Sequence, residues 1–168
     1  MEQVRFGVVG LGNMGSSHVT NLFGGKVPGA VLTAVCDLKQ TRLDWAKTVC
    51  GDAVAYYTDY KEMLASGKID AVMIATPHYW HPIIGMDAFD AGIHVLSEKP
   101  IGVYTKKVYE FMDKAEKSGL AFGIMYNQRT DKFYQKMREM VQNGELGELK
   151  RCIWIITNWY RTQAYYNS

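Results

Sequence analysis

Two hydrophobic rhythms alternate along most of the chain. Short, nearly continuous apolar runs at 4–9, 31–37, 53–57, 69–75, 94–97 and 121–126 read as strands. Between them, 13–23, 41–50, 59–66 and 82–91 read as helices. A further helix follows Pro100 and places Val108, Phe111, Met112 and Ala115 on one face before Ser118-Gly119 stops it. That i, i+3, i+4, i+7 recurrence marks one side of a helix, and glycine just past the last turn is a common stop. Strands that are apolar on both faces and separated by helices belong to a parallel sheet covered on both sides. Its crossovers are right-handed. The pattern predicts an α/β domain with a doubly wound parallel sheet over residues 1–127.

The rhythm changes after Arg129. A helix over 130–143 puts Phe133, Met137, Met140 and Val141 on one side, and Asn143-Gly144 ends it. Residues 148–160 then read as one strand, longer than the usual ~5–6 residues. Ile153, Ile155 and Trp159 would lie on one face, and Trp154, Ile156 and Tyr160 on the other. A single strand with two apolar faces makes no stable sheet. Residues 128–168 are therefore expected to be the first helix and strand of a truncated α+β C-terminal domain.

Composition narrows the function classes. The 168 residues carry 19 Lys+Arg against 17 Asp+Glu, a net charge of +2, and the longest basic run is Lys106-Lys107. That is no electrostatic footprint for nucleic acid. With 48% apolar and 21% charged residues the chain is expected to be globular. No run approaches the ~20 apolar residues of a membrane span. The glycines and early polar residues of the N-terminus suit a buried strand better than an export signal. Cys36, Cys50 and Cys152 are odd in number and form no CxxC pair, so neither a disulfide framework nor a zinc site is expected. They read as reduced thiols of a cytoplasmic protein.

The candidate chemistry begins at Gly10-Leu11-Gly12-Asn13-Met14-Gly15, a G-x-G-x-x-G sequence between a predicted strand and a predicted helix. The first glycine permits a tight turn, the second lets a pyrophosphate approach the backbone, and the third lets helix and strand pack closely. The helix start offers free N–H groups and a positive dipole end to phosphate. Asp37 lies 22 residues past Gly15 at the end of the second strand, where a ribose hydroxyl needs an acceptor. Together these predict a Rossmann-type dinucleotide site. A carboxylate at Asp37 repels a 2′-phosphate, so NAD is favoured over NADP. Lys39 and Arg42 can offset such a phosphate, but read better as solvated charges at a helix start.

Ligands of open α/β sheets bind at the carboxyl edge, and several polar residues follow the strands there. Lys99, in Glu98-Lys99-Pro100, can exchange a proton with a substrate hydroxyl, although the tripeptide alone reads better as a surface lysine before a turn proline. In Thr76-Pro77-His78-Tyr79-Trp80-His81, His78 is the better candidate for a cleft contact, while His81 reads as helping to start its helix. His18 and His94 read as structural. The His78/His81 pair has no carboxylate or cysteine placed to complete a metal site, so no metal is expected. Asn127 and Arg129 follow the sixth strand and can reach substrate or nicotinamide; Arg129 equally suits a carboxylate partner at the domain junction.

Taken together, Gly10–Gly15 with Asp37, Ala75-Thr76-Pro77 followed by His81, the block from Ala91-Gly92-Ile93-His94 to Glu98-Lys99-Pro100, and Asn127-Gln128-Arg129 resemble the Gfo/Idh/MocA oxidoreductases. Asn143 to Glu148 resembles the family's passage into its C-terminal domain. The resemblance implies NAD(P)-dependent hydride transfer at a sugar or polyol carbon. It implies that Lys99 assists proton transfer beside the nicotinamide, and that Glu98, Thr76 and Pro77 border the nicotinamide ribose. It further implies a C-terminal sheet that supplies substrate contacts, an acid/base histidine and the interface of a homo-oligomer. Only the start of that sheet is expected within 168 residues, so the chain by itself is expected to be incomplete for catalysis. Two other functions fit the same residues: a non-catalytic dinucleotide sensor, and an NAD-dependent glycosidase.

Overall fold

A computed structural model describes residues 3–157 and 160–166. The chain falls into two compact units, Met1–Met125 and Tyr126–Ser168.

The first unit is built on six strands: β1 (Val4–Val9), β2 (Ala30–Cys36), β3 (Ala55–Tyr57), β4 (Ala71–Ile74), β5 (His94–Ser97) and β6 (Phe122–Ile124). They pair in parallel in the order β3-β2-β1-β4-β5-β6. The connecting helices are α1 (Asn13–Phe23), α2 (Gln40–Cys50), α3 (Tyr60–Ala65), α4 (His81–Asp90) and α5 (Thr105–Ser118). Every residue of β4 is buried, as befits a central strand with helices on both faces. Its side chains alternate between two cores with the period of a strand. Val72 and Ile74 join Ile84, Phe89, Val95 and Phe111 on one face, while Met73 joins Val8, Val19, Leu32, Val35 and Leu43 on the other. Helix boundaries follow local chemistry. Asp59 caps α3 by accepting from the Lys61 N–H, and Gly119 ends α5 in the left-handed conformation at φ +67°.

In the second unit a 3-10 turn, Asn127–Thr130, leads to α6 (Lys132–Gln142), and α7 (Gln163–Tyr166) follows. The Asp131 carboxylate caps α6 by accepting from the Phe133 and Tyr134 N–H groups. The strand expected over 148–160 does not form among the described residues; Trp159 lies outside them. The reason is physical: a strand exists through its ladder partner, and no described segment pairs with this one. Ile153, Ile155 and Ile156 stay exposed, and the Trp154 ring stacks against Tyr134 at 5.4 Å between centroids.

Candidate cofactor site

The chain leaves β1 at one side of the sheet and returns through β4 at β1's other side, so the strand order reverses between them. Ligands of such sheets sit in the crevice outside the strands' carboxyl ends at this reversal. The turn after β1 opens there. Gly10 has φ +87°, and a Cβ on it would lie 2.8 Å from the Ala75 carbonyl group and 2.9 Å from the Thr76 nitrogen. A Cβ on Gly15 would lie 1.7 Å from the Gly10 oxygen, so α1 closes on the turn only because that position has no side chain. Gly12 differs: a Cβ there meets nothing within 4 Å. It heads α1, with no side-chain cap on the first N–H groups, and Asn13 and Met14 are exposed beside it. The space over Gly12 and the uncapped N–H groups suit a pyrophosphate.

Asp37 holds this turn. Its carboxylate accepts from the Leu11 N–H at 2.7 Å and from the Lys39 N–H at 2.8 Å, tying the glycine loop to the end of β2. A carboxylate has about four acceptor sites, so the two remaining suit a ribose diol. Next to it, Cys36 is fully committed to the core. Burial, then the Asp37 charge, push its thiol up to about 12, which makes it inert.

The loops after β4 and β5 complete the edge. Backbone bonds from Ala75 N–H to Val9 O and from Glu98 N–H to Ile74 O, both 2.8 Å, hold them level with the turn. The Thr76 hydroxyl is buried without a partner. His81, at 0% exposure, sits between the two loops. Its Nε2 lies 2.8 Å from the Thr76 carbonyl oxygen and its Nδ1 2.8 Å from the Pro100 carbonyl oxygen. A neutral ring donates to one of the two, a protonated ring to both. His81 is the first residue of α4, and its side chain is also a strut between the two loops; the α4 N-cap, Trp80, makes no side-chain bond. Lys99 is exposed, whereas Glu98 is buried and accepts from His18 Nε2–H at 2.8 Å. Partial desolvation, then the nearby His81 and Lys99, hold His78 below the ordinary imidazole range. It therefore meets a ligand as a neutral ring at neutral pH.

The fold gathers Gly10, Gly12, Asn13, Met14, Gly15, Asp37, Thr76, Pro77, His78, Glu98 and Lys99 on the loops and helix starts at one edge of the first unit. Asn127 and Arg129 belong to the second unit, in its 3-10 turn, with the Arg129 guanidinium 5.6 Å from the Tyr126 ring centre. Two residues escaped the sequence reading as site components, His81 and His18. His18 had a legible signal: it follows Gly15 by one helical turn, on the face that carries the buried Val19 and Leu22.

Residues 4–126 match the family described as oxidoreductase family, NAD-binding Rossmann fold. Myo-inositol 2-dehydrogenase of Thermotoga maritima is 30% identical over 145 residues, 86% of this chain and 42% of that protein. Glycosyl hydrolase family 109 protein 1 of Shewanella sp. (strain MR-4) is 31% identical over 157 residues, 89% of this chain and 34% of that protein. Among solved structures, scyllo-inositol dehydrogenase from Lactobacillus casei, with bound NAD(H) and scyllo-inositol, superposes with a TM-score of 0.82 at 32% identity, covering 88% of this chain and 43% of that one. The chain thus spans less than half the length of these relatives. With the matched span covering the whole parallel sheet and the glycine turn at its carboxyl edge, the chain belongs to the Gfo/Idh/MocA family of NAD-binding Rossmann-fold oxidoreductases.

Proposed function

We propose that the chain is the cofactor-holding part of an NAD-dependent polyol or sugar dehydrogenase. The observation that carries this is the Gly12 position, open where a pyrophosphate would lie and backed by Asp37 with acceptor sites to spare. In this reading the uncapped start of α1 binds the pyrophosphate, Asp37 accepts from the adenosine ribose, and Thr76, Pro77 and His78 border the nicotinamide end. Asn127 belongs to the same cofactor contacts, and Arg129 to the substrate. When bound, the nicotinamide supplies a hydride acceptor or donor. Lys99, exposed at the end of β5, moves the proton of the substrate hydroxyl. The inositol dehydrogenases among the relatives support a polyol substrate.

A cytoplasmic setting and a homo-oligomer are part of the same reading. Among the described residues no helix is long and apolar enough to cross a membrane, and the buried free thiols of Cys36 and Cys50 suit a reducing compartment. A second reading, an NAD-dependent glycosidase, has one specific support, the family 109 glycosyl hydrolase at 31% identity.

Titration with NADH, followed by energy transfer from tryptophan, tests the cofactor site; saturable binding is expected, and its absence up to millimolar cofactor overturns the proposal. Asp37→Ala should weaken NADH binding by about 1–2 kcal/mol, through the lost ribose bond, and narrow the preference over NADPH. An unchanged preference would place Asp37 away from the ribose. Polyol-dependent NADH formation against release from aryl glycosides separates the two readings of the chemistry.

A further inference from the structure

We propose that His18 and Glu98 are a positioning pair that fixes the Lys99 loop relative to the pyrophosphate-binding helix; this rests on the cofactor reading above. The two residues come from different ends of the site. His18 lies on α1, one turn beyond the glycine fingerprint. Glu98 is the first residue after β5 and precedes Lys99. Their side chains are 14% and 7% exposed, and His18 Nε2–H donates to Glu98 Oε1 at 2.8 Å. The other carboxylate oxygen, Oε2, accepts from the Lys99 N–H at 3.2 Å. The Glu98 N–H is itself held by the Ile74 carbonyl at 2.8 Å. Both carboxylate oxygens are therefore engaged by the protein, one by α1 and one by the backbone of the residue proposed to move the proton.

The chemistry of the pair favours positioning over stability. A buried hydrogen bond to a carboxylate gains little over a well-packed apolar contact, because desolvation offsets the attraction. What it adds is direction: a hydrogen-bonded carboxylate accepts along defined lone pairs, where an apolar contact would let the loop slide. In the proposed site the α1 start takes the pyrophosphate and Lys99 the nicotinamide end, so the tie links those two parts of the site. Loosening it should be felt by the nicotinamide half of the ligand and not by the ADP half.

The test uses the 168-residue chain with two ligands, NADH and ADP-ribose, the second lacking the nicotinamide. His18→Leu is expected to raise the NADH dissociation constant about tenfold, the loss of one hydrogen bond to a charged group, while the ADP-ribose constant stays within about twofold. His18→Gln keeps a side-chain N–H within reach of Glu98 and should recover most of the NADH affinity. Equal losses for the two ligands, or no recovery with Gln, overturn the proposal. A urea-unfolding cycle without ligand, over His18→Leu, Glu98→Gln and the double variant, guards against a merely damaged fold. Non-additive changes are expected for a true pair, and additive ones overturn it. A wild-type chain that binds neither ligand overturns the cofactor reading itself, whatever the cycle gives.

Discussion

Gly12 and Gly15 share one turn and have opposite reasons to be glycine. A side chain at Gly15 collides with the backbone of Gly10, 1.7 Å away, so the fold itself excludes it. A Cβ at Gly12 meets nothing within 4 Å among the described residues, so the fold leaves it room and the proposed pyrophosphate would not. Gly12→Ala should therefore leave stability within about 1 kcal/mol, the scale of an N-cap change, yet weaken NADH binding strongly. Gly15→Ala should lower the melting temperature as well as binding. Calorimetry and NADH titration on the two variants check this; equal melting losses would mean that Gly12 is structural. Just before β4, at the amino ends of the strands, Asp70 carries a charge held by Arg5. Hydrogen bonds from the Arg5 side chain, then from its backbone, hold the carboxyl down at about 2. A depressed carboxyl stabilises the folded chain above its unfolded value of about 3.9, and the contribution is lost as pH falls toward about 2. Asp70→Asn should thus melt lower than wild type at neutral pH, with the gap closing across that window. A gap that persists undiminished in acid would assign the loss to something other than the ion pair.

Helices α4 and α5 meet where Gly85 leaves room for a ring. A Cβ on Gly85 would come within 2.2 Å of the Phe111 ring, which is itself fully buried against Phe89 and Phe122. Gly85→Ala should cost about 1–3 kcal/mol by overpacking, and Phe111→Leu in the same chain should return part of it. Urea unfolding of the two variants checks this, and additive losses would contradict the contact. The elements that could be read from the sequence are those whose pattern is self-sufficient. For β4 a run of apolar residues on both faces implies a central strand, and β5 and α1 likewise begin and end where periodicity and glycine place them. The stretch at 148–160 has an equally apolar pattern, but a pattern does not supply the neighbour that makes a strand. The site divides the same way. The glycine turn and Asp37 were legible because their spacing is fixed by one local unit. His81 was not, because its partners Thr76 and Pro100 are carbonyls 5 and 19 residues away, brought together only by the order of the strands.

At the scale of the molecule, the first unit buries its apolar residues in two cores while the second leaves many of its own uncovered. Phe133 is 81% exposed and Ile155 77%, and Met137, Ile153, Trp154 and Ile156 are each at least half exposed. Exposed apolar surface drives association in water, since covering it releases about 25 cal/mol per Å². The net charge of +2 offers little repulsion to oppose it. The 168-residue chain is therefore expected to self-associate as concentration rises, and the association should run through the second unit. Ile153→Glu with Ile155→Glu places two charges in the uncovered stretch, without touching the sheet or the glycine turn. That variant should shift light scattering toward the monomer and keep NADH affinity within about twofold, because the residues proposed to hold the pyrophosphate and the ribose all lie in the first unit. A wild-type chain that stays monomeric and monodisperse at high concentration would show that this surface does not drive association. An NADH affinity that fell with the charges would show that the stretch around Ile153 and Ile155 takes part in holding the cofactor.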